Sequence, residues 1–140
     1  MEQVTIRSAT VDDIDPIFDL TVPFVESRQL LHRSKEEIAE LIETGFVAED
    51  DSRKMAGFAA VEIYSKKLAE ILCLAVASEF QGQGVGRILV TQCVEFAKEK
   101  GVIELMAISS SDHFLKNCGF DYTLPDQKRA LFINPSESSQ

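Results

Sequence analysis

Residues 70–87 read EILCLAVASEFQGQGVGR. The first half, Glu70 to Val76, is apolar and β-prone, the pattern of a buried strand. The second half sets Gly82, Gly84 and Gly86 within five residues and passes directly into a long amphipathic segment. Strand, glycine loop and helix start together make a geometry that holds an anion. Glycines let backbone N–H groups turn inward without Cβ clashes, and the first helical turn adds unpaired N–H groups and a partial charge of about +0.5. The ligand expected here is phosphorylated. A Walker loop would need Lys and Ser or Thr after its last glycine, but Arg87 and Ile88 follow Gly86. A dinucleotide fingerprint would need two residues between its second and third glycines, and only Val85 separates Gly84 from Gly86. Both fail on spacing.

Around this stretch the chain reads as alternating strands and helices. Gln3 to Ser8 alternates as a first strand. Asp12 or Asp13 caps a helix that turns Ile14, Ile17 and Phe18 inward and carries Pro16 harmlessly in its first turn. Pro23 is expected to kink or end that helix, leaving Phe24 to Leu31 as a second helical piece or a loop. Ser34 and Glu37 form a capping box ahead of Ile38, Leu41 and Ile42, and Gly45 closes that helix. Phe46 to Glu49 and Met55 to Tyr64 read as an antiparallel pair about the turn Asp50–Arg53, and Ser65 to Leu68 leads into the central strand. Val85, Ile88, Leu89, Cys93, Phe96 and Ala97 make one helical stripe ended by Gly101. A strand over Val102 to Ile108 and a short helix over Asp112 to Cys118, stopped by Gly119, follow. Phe120 to Tyr122 and Ala130 to Ile133 read as a closing hairpin. The expected organisation is a single domain over 1–134 and a polar, disordered tail over 135–140.

With 140 residues, 45% of them hydrophobic, the chain can bury a sizeable core. No apolar run reaches membrane-spanning length, and the N-terminus lacks signal-peptide design, so no membrane partner and a cytoplasmic location are expected. Cys73, Cys93 and Cys118 form no CxxC pair and, with only His32 and His113, no metal-ligand cluster, so reduced structural thiols and no metal are expected. The net charge of −9 argues against nucleic acid. Positive potential for a phosphorylated ligand must therefore be local, from Arg87, the loop amides and the Lys66–Lys67 pair.

Gln81-x-x-Gly84-x-Gly86, after a strand ending Leu74-Ala75-Val76, resembles motif A of the GNAT superfamily of N-acetyltransferases. The element order and the short helix before Gly119-Phe120 resemble that superfamily over nearly the whole chain. The resemblance is closer still to the acetyltransferase domain of N-acetylglutamate synthases, through Ile6-Arg7-Ser8-Ala9-Thr10, Arg33-Ser34, Glu70 to Val76, Gly82-Gln83-Gly84-Val85-Gly86 and His113-Phe114-Leu115. It implies an α/β GNAT (acyl-CoA N-acyltransferase) fold, a mixed and mostly antiparallel twisted sheet flanked by helices. It implies acetyl-CoA as co-substrate, its pyrophosphate held by the loop from Gln81 through Gly82, Gln83, Gly84, Val85 and Gly86 to Arg87. If the central strand splays from the next, as in GNAT proteins, its free N–H groups over Cys73, Leu74, Ala75 and Val76 hold the pantetheine and the thioester oxygen. GNAT domains also pair through exposed strands, so a homodimer is among the expected partners.

Acetyl transfer to an amine needs the neutral amine. At pH 7 deprotonation costs about 1.4 kcal/mol for an α-amine of pKa ~8 and about 4.6 for a lysine-like amine, so positioning, worth up to about 7–11 kcal/mol, dominates. Glu70, sharing a strand face with Leu72 and Leu74, is the candidate base. The competing reading is a solvated carboxylate beside Lys66 or Lys67. Many GNAT enzymes protonate the leaving thiolate with a Tyr four residues before the motif B glycine. That position is Leu115, and Tyr64 and Tyr122 lie elsewhere in the sequence. The synthase resemblance instead implies a serine after the preceding strand, Ser109 or Ser110. For an amino-acid acceptor such as glutamate, the same resemblance implies Arg33 and Arg129 as carboxylate ligands. Alternatives are a peptide N-terminus, an antibiotic or a polyamine as acceptor, and a non-catalytic acyl-CoA-binding module.

Overall fold

A computed structural model describes residues 3–109, 112–121, 133 and 135. The chain divides into two compact units, Met1–Ser110 and Ser111–Gln140. The first carries β1 (Thr5–Ser8), α1 (Ile14–Glu26), α2 (Lys35–Leu41), β2 (Gly45–Glu49), β3 (Met55–Ile63), β4 (Leu68–Val76), α3 (Val85–Glu99) and β5 (Glu104–Ala107). The second carries α4 (Asp112–Asn117). The expected closing hairpin lies almost wholly outside the described residues, as does most of the polar tail. No helix among the described residues is long and apolar enough to cross a membrane.

The five strands form one sheet in the order β1-β2-β3-β4-β5. The first three pairings are antiparallel and β4–β5 is parallel. Short polar turns between β2, β3 and β4 permit the antiparallel hairpins, while the parallel pair needs α3 as its crossover. The β2–β3 turn is held by the buried Asp50, whose carboxylate accepts from the backbone N–H of Lys54 at 2.8 Å and of Ser52 at 2.9 Å. Those N–H groups hold the Asp50 carboxyl below its usual range.

Helices cover both faces. Ile17 of α1 and Ile38 and Leu41 of α2 pack with Val47, Phe58, Ala60 and Cys73 on one face. On the other, α3 sets Phe96 edge-on to Phe46, with ring centroids 5.6 Å apart. It also comes so near β3 that a Cβ on Gly57 would meet Leu89 Cδ1 at 2.9 Å, and would crowd Ala75 O of β4 at 2.7 Å.

Two local expectations need correction. Pro23 does not end α1, which runs on to Glu26. The proline stands in the exposed last turn, where the carbonyl that loses its N–H partner faces solvent. After it Arg28 takes φ 64°, the left-handed position usually given to glycine, and Gln29 N–H closes on Phe24 O at 2.8 Å. Nor does Asp13 serve as a side-chain cap for α1. Its carboxylate turns back to accept from Thr10 N–H at 2.7 Å and from both terminal nitrogens of Arg7 at 2.8 Å. Arg7 Nε reaches Glu49 at 3.1 Å, so this ion network ties the start of α1 to β1 and β2. The capping box of α2 is present as expected, with Ser34 Oγ accepting from Glu37 N–H at 3.1 Å and Glu37 accepting from Ser34 N–H at 2.9 Å.

Candidate functional site

β4 is where the sheet opens. Its pairing with β5 begins at Leu68↔Glu104 and stops at Ile71↔Ala107, although β4 continues to Val76. From Leu72 onward the strand has lost its β5 neighbour among the described residues, leaving main-chain groups facing a gap. On its other side the register slips: Phe58 opposes Ala75 and Ala60 opposes Leu72, so three residues of β4 advance while β3 advances two. Cys73 absorbs the extra residue at φ 60°, a left-handed conformation that a β-bulge can demand of a non-glycine residue. The slip corrects the expected strand face. Glu70 and Leu72 share a side with Ala60, but Leu74, next to Ala75, falls on the opposite one.

Past Val76 the chain makes a helical turn, Ser78–Phe80, that buries Phe80. Ala77 N–H donates to Ala56 O at 2.8 Å, tying that turn back to β3. Gly82 and Gly84 then take φ 79° and 83°, and a Cβ on either would point into open space. The concavity is kept by side chains that fold back into the loop: Gln81 Nε2 donates to Val76 O at 3.1 Å and Gln83 Nε2 to Glu79 O at 3.2 Å. Both glutamines thus shape the loop. Helix α3 begins at Val85, so Gly86 and Arg87, read as loop from the sequence, stand in its first turn. Ile88 N–H closes the first helical bond on Gly84 O at 3.1 Å, which leaves the N–H groups of Val85 and Gly86 aimed out of the positive helix end. An oxyanion fits this cradle: it has room, donors and no carboxylate of its own first turn.

At the other end of β4, Glu70 is half-buried and accepts a 2.6 Å hydrogen bond from the hydroxyl of Tyr64. Sequence reading left Tyr64 outside the site. The missed signal was the hairpin: Tyr64 N–H closes on Leu68 O at 3.0 Å, which sets its ring diagonal to Glu70 on one face. Glu62 lies directly across from Glu70. The Glu70 carboxylate beside the Tyr64 hydroxyl pushes the phenol well above its ordinary range.

Arg33, from the α1–α2 connection, brings its guanidinium to the Cys73 thiol. Burial pushes that thiol up, against the opposing pull of Arg33. Burial alone pushes Cys93 up to about 12. Ser109 is exposed and follows the end of β5 by two residues, on the side where β4 has lost its partner. The structure thus gathers Glu70, Cys73, Arg33 and the loop along β4 and adds Tyr64. Ser110, Tyr122 and Arg129 lie outside the described residues.

Elsewhere in the first unit, a cleft of about 370 Å³ runs between the second half of α1 and residues 77–81, with Leu20, Pro23 and Phe24 on one wall and Glu79 and Gln81 on the other. A larger hollow of about 470 Å³ lies on the outer side of α1 and α2, lined in part by Asp15 and Lys35.

The profile of the "Acetyltransferase (GNAT) family" matches residues 11–120. An uncharacterized N-acetyltransferase of Chlorobaculum tepidum is 36% identical over 115 residues, covering 82% of this chain and 74% of that one. The amino-acid acetyltransferase of Photorhabdus laumondii is 30% identical over 132 residues, covering 91% of this chain but 30% of its own. Among solved structures, the N-acetylglutamate synthase of Neisseria gonorrhoeae complexed with coenzyme A and N-acetyl-glutamate superposes with a TM-score of 0.77 at 32% identity, covering 82% of this chain and 27% of the synthase. The chain thus spans under a third of the length of these amino-acid acetyltransferase and synthase relatives.

Proposed function

The chain belongs to the GNAT acetyltransferase family, and from that premise we propose that it transfers the acetyl group of acetyl-CoA to the primary amine of an amino acid, glutamate first among the acceptors. One observation carries the reading: the strand that loses its neighbour at Ile71 runs straight into a left-handed glycine loop and an open helix end. A strand gap and an anion cradle in line fit a long ligand with a diphosphate at one end and a thioester at the other. Bound there, acetyl-CoA supplies an activated acyl group with a good leaving thiol.

The residues divide the remaining tasks. Main-chain N–H groups of Gly82 to Gly86 hold the diphosphate, with Arg87 beside them. Backbone groups of Cys73 to Val76, no longer paired to β5, grip the amide-bearing arm and orient the thioester oxygen. Glu70 takes the proton that the acceptor's ammonium must lose, about 1.4 kcal/mol of work at pH 7 for an α-amine of pKa ~8. Ser109, just past the end of β5, protonates the departing thiolate. Arg33 binds an acceptor carboxylate, and Arg129 is assigned a second one by the synthase resemblance. A cytoplasmic setting goes with this reading, since Cys73, Cys93 and Cys118 are free thiols and reducing compartments keep them so.

Calorimetric titration with CoA and a CoA-release assay over amino acids, polyamines and peptide N-termini test the proposal. Saturable CoA binding and fastest turnover with an amino acid are expected. No CoA binding overturns the donor, and preference for amines without a carboxylate overturns the acceptor.

A further inference from the structure

A hydroxyl held directly against Glu70 belongs to Tyr64, a residue outside the glycine loop and the short helix that carry the family resemblance. Tyr64 leaves the end of β3 half-exposed, at 52%, and donates to Glu70 Oε1 at 2.6 Å. Such a distance is that of a charge-assisted hydrogen bond from a neutral phenol to an ionised carboxylate. Directly across the ladder from Glu70 stands Glu62, a like-charged neighbour on the same face. Opposed like charges on a strand pair repel, and Tyr64 interacts with both carboxylates. Its proton is the positive end of a dipole that both carboxylates feel.

We propose that Tyr64 is the positioning residue for Glu70: its hydroxyl fixes one carboxylate oxygen, offsets Glu62, and leaves Oε2 to receive the acceptor's ammonium proton. This rests on the reading of Glu70 as the base. Without the hydroxyl the Glu70 carboxylate loses the donor that fixes its orientation and is misaligned. Among the described residues, the charged groups on the neighbouring elements are Glu104, diagonal to Glu70 on β5, Lys66 and Lys67 in the β3–β4 turn, and Arg33, which stands by Cys73 three residues further along β4. None of these is altered by Tyr64→Phe. The substitution removes one oxygen from an exposed ring edge and leaves its packing.

The test is the pH profile of kcat/KM for Y64F, E62Q and E70Q, each checked for an unchanged melting transition, with acetyl-CoA and the fastest acceptor of the panel. Y64F is expected to shift the acid limb and to lower kcat about tenfold, the scale of one hydrogen bond to a charged group. KM for acetyl-CoA stays the same. E62Q, which removes the repulsion, is expected to move the acid limb down. E70Q is expected to abolish the limb. If E70Q does so while Y64F leaves the limb in place, the assignment of Tyr64 is overturned and the base stands. If the limb survives E70Q, the base assignment falls and this inference with it. A melting temperature lowered in Y64F with an unshifted profile marks a structural tyrosine and equally overturns the proposal.

Discussion

Gly57 of β3 lies against Leu89 of α3 with no room for a methyl group: a Cβ there would come within 2.9 Å of Leu89 Cδ1 and 2.7 Å of Ala75 O. The helix whose first turn frames the glycine cradle is therefore seated through Leu89 on the bare backbone of Gly57, beside the end of β4. The side-chain-free position sets how close the positive helix end stands to the open strand. Gly57→Ala must displace the backbone carbonyl of Ala75 and turn the Leu89 side chain away. The expected cost is about 1–3 kcal/mol of stability, read as a lower urea midpoint, together with weaker CoA binding by calorimetry. Full-strength CoA binding in a destabilised G57A would separate the helix seat from the cradle.

Gly84 presents a different case, since a Cβ on it meets nothing within 4 Å yet its φ is 83°. Gly84→Ala should cost about 1–2 kcal/mol for holding an L-residue left-handed. It should weaken CoA affinity further, because the methyl group enters the space above the N–H groups. Thermal melts with and without CoA measure the two effects separately: the apo shift reports the backbone, and the smaller ligand-induced shift reports the cradle.

Arg33 reaches the bulge at Cys73 with a planar fork of donors. Arg33→Lys keeps the charge but loses the two-pronged geometry a carboxylate wants. The expected outcome is a KM for the amino-acid acceptor raised about ten- to a hundredfold, the worth of one or two charge-assisted hydrogen bonds. KM for acetyl-CoA should not change. Equal rises in both constants would place Arg33 on the donor side of the gap.

Asp13 is expected to contribute to stability loss in acid. The Arg7 hydrogen bonds hold its carboxyl below the usual carboxylate range. A depressed folded-state pKa means the group's contribution is fully present above its unfolded value near ~3.9 and is lost as pH falls through the folded value. Asp13→Asn leaves Arg7 with a neutral partner and should cost about 2–3 kcal/mol at pH 7. Urea unfolding at pH 7 and pH 3 checks this, because the gap between parent and variant must narrow at the lower pH.

Much of the fold was legible because its signals are local. The Ser34–Glu37 box, the stripe from Val85 to Ala97 and the spacing of Gly82 and Gly84 each depend on neighbours within a few residues; the structure places the box and the glycines as read, and the stripe except that Ile88 is exposed and Val90 is buried. Reading failed where a distant partner intervened. Asp13 looked like a cap until Arg7 of β1 claimed its carboxylate. Leu74 looked like a companion of Glu70 until a bulge, visible only against β3, turned it to the other face. Gly57 carried a faint signal, since glycine inside a strand marks close backbone approach.

The residues from Glu70 to Arg87 by themselves determined that a strand would run into a glycine loop and a helix, because φ preference and apolar run length act along the chain. Tertiary structure alone decided that the strand would stand open past Ile71, that Cys73 would be forced left-handed, and that Tyr64 would reach Glu70. Those outcomes come from register between strands, and register is settled by which side chains two distant segments can bury together.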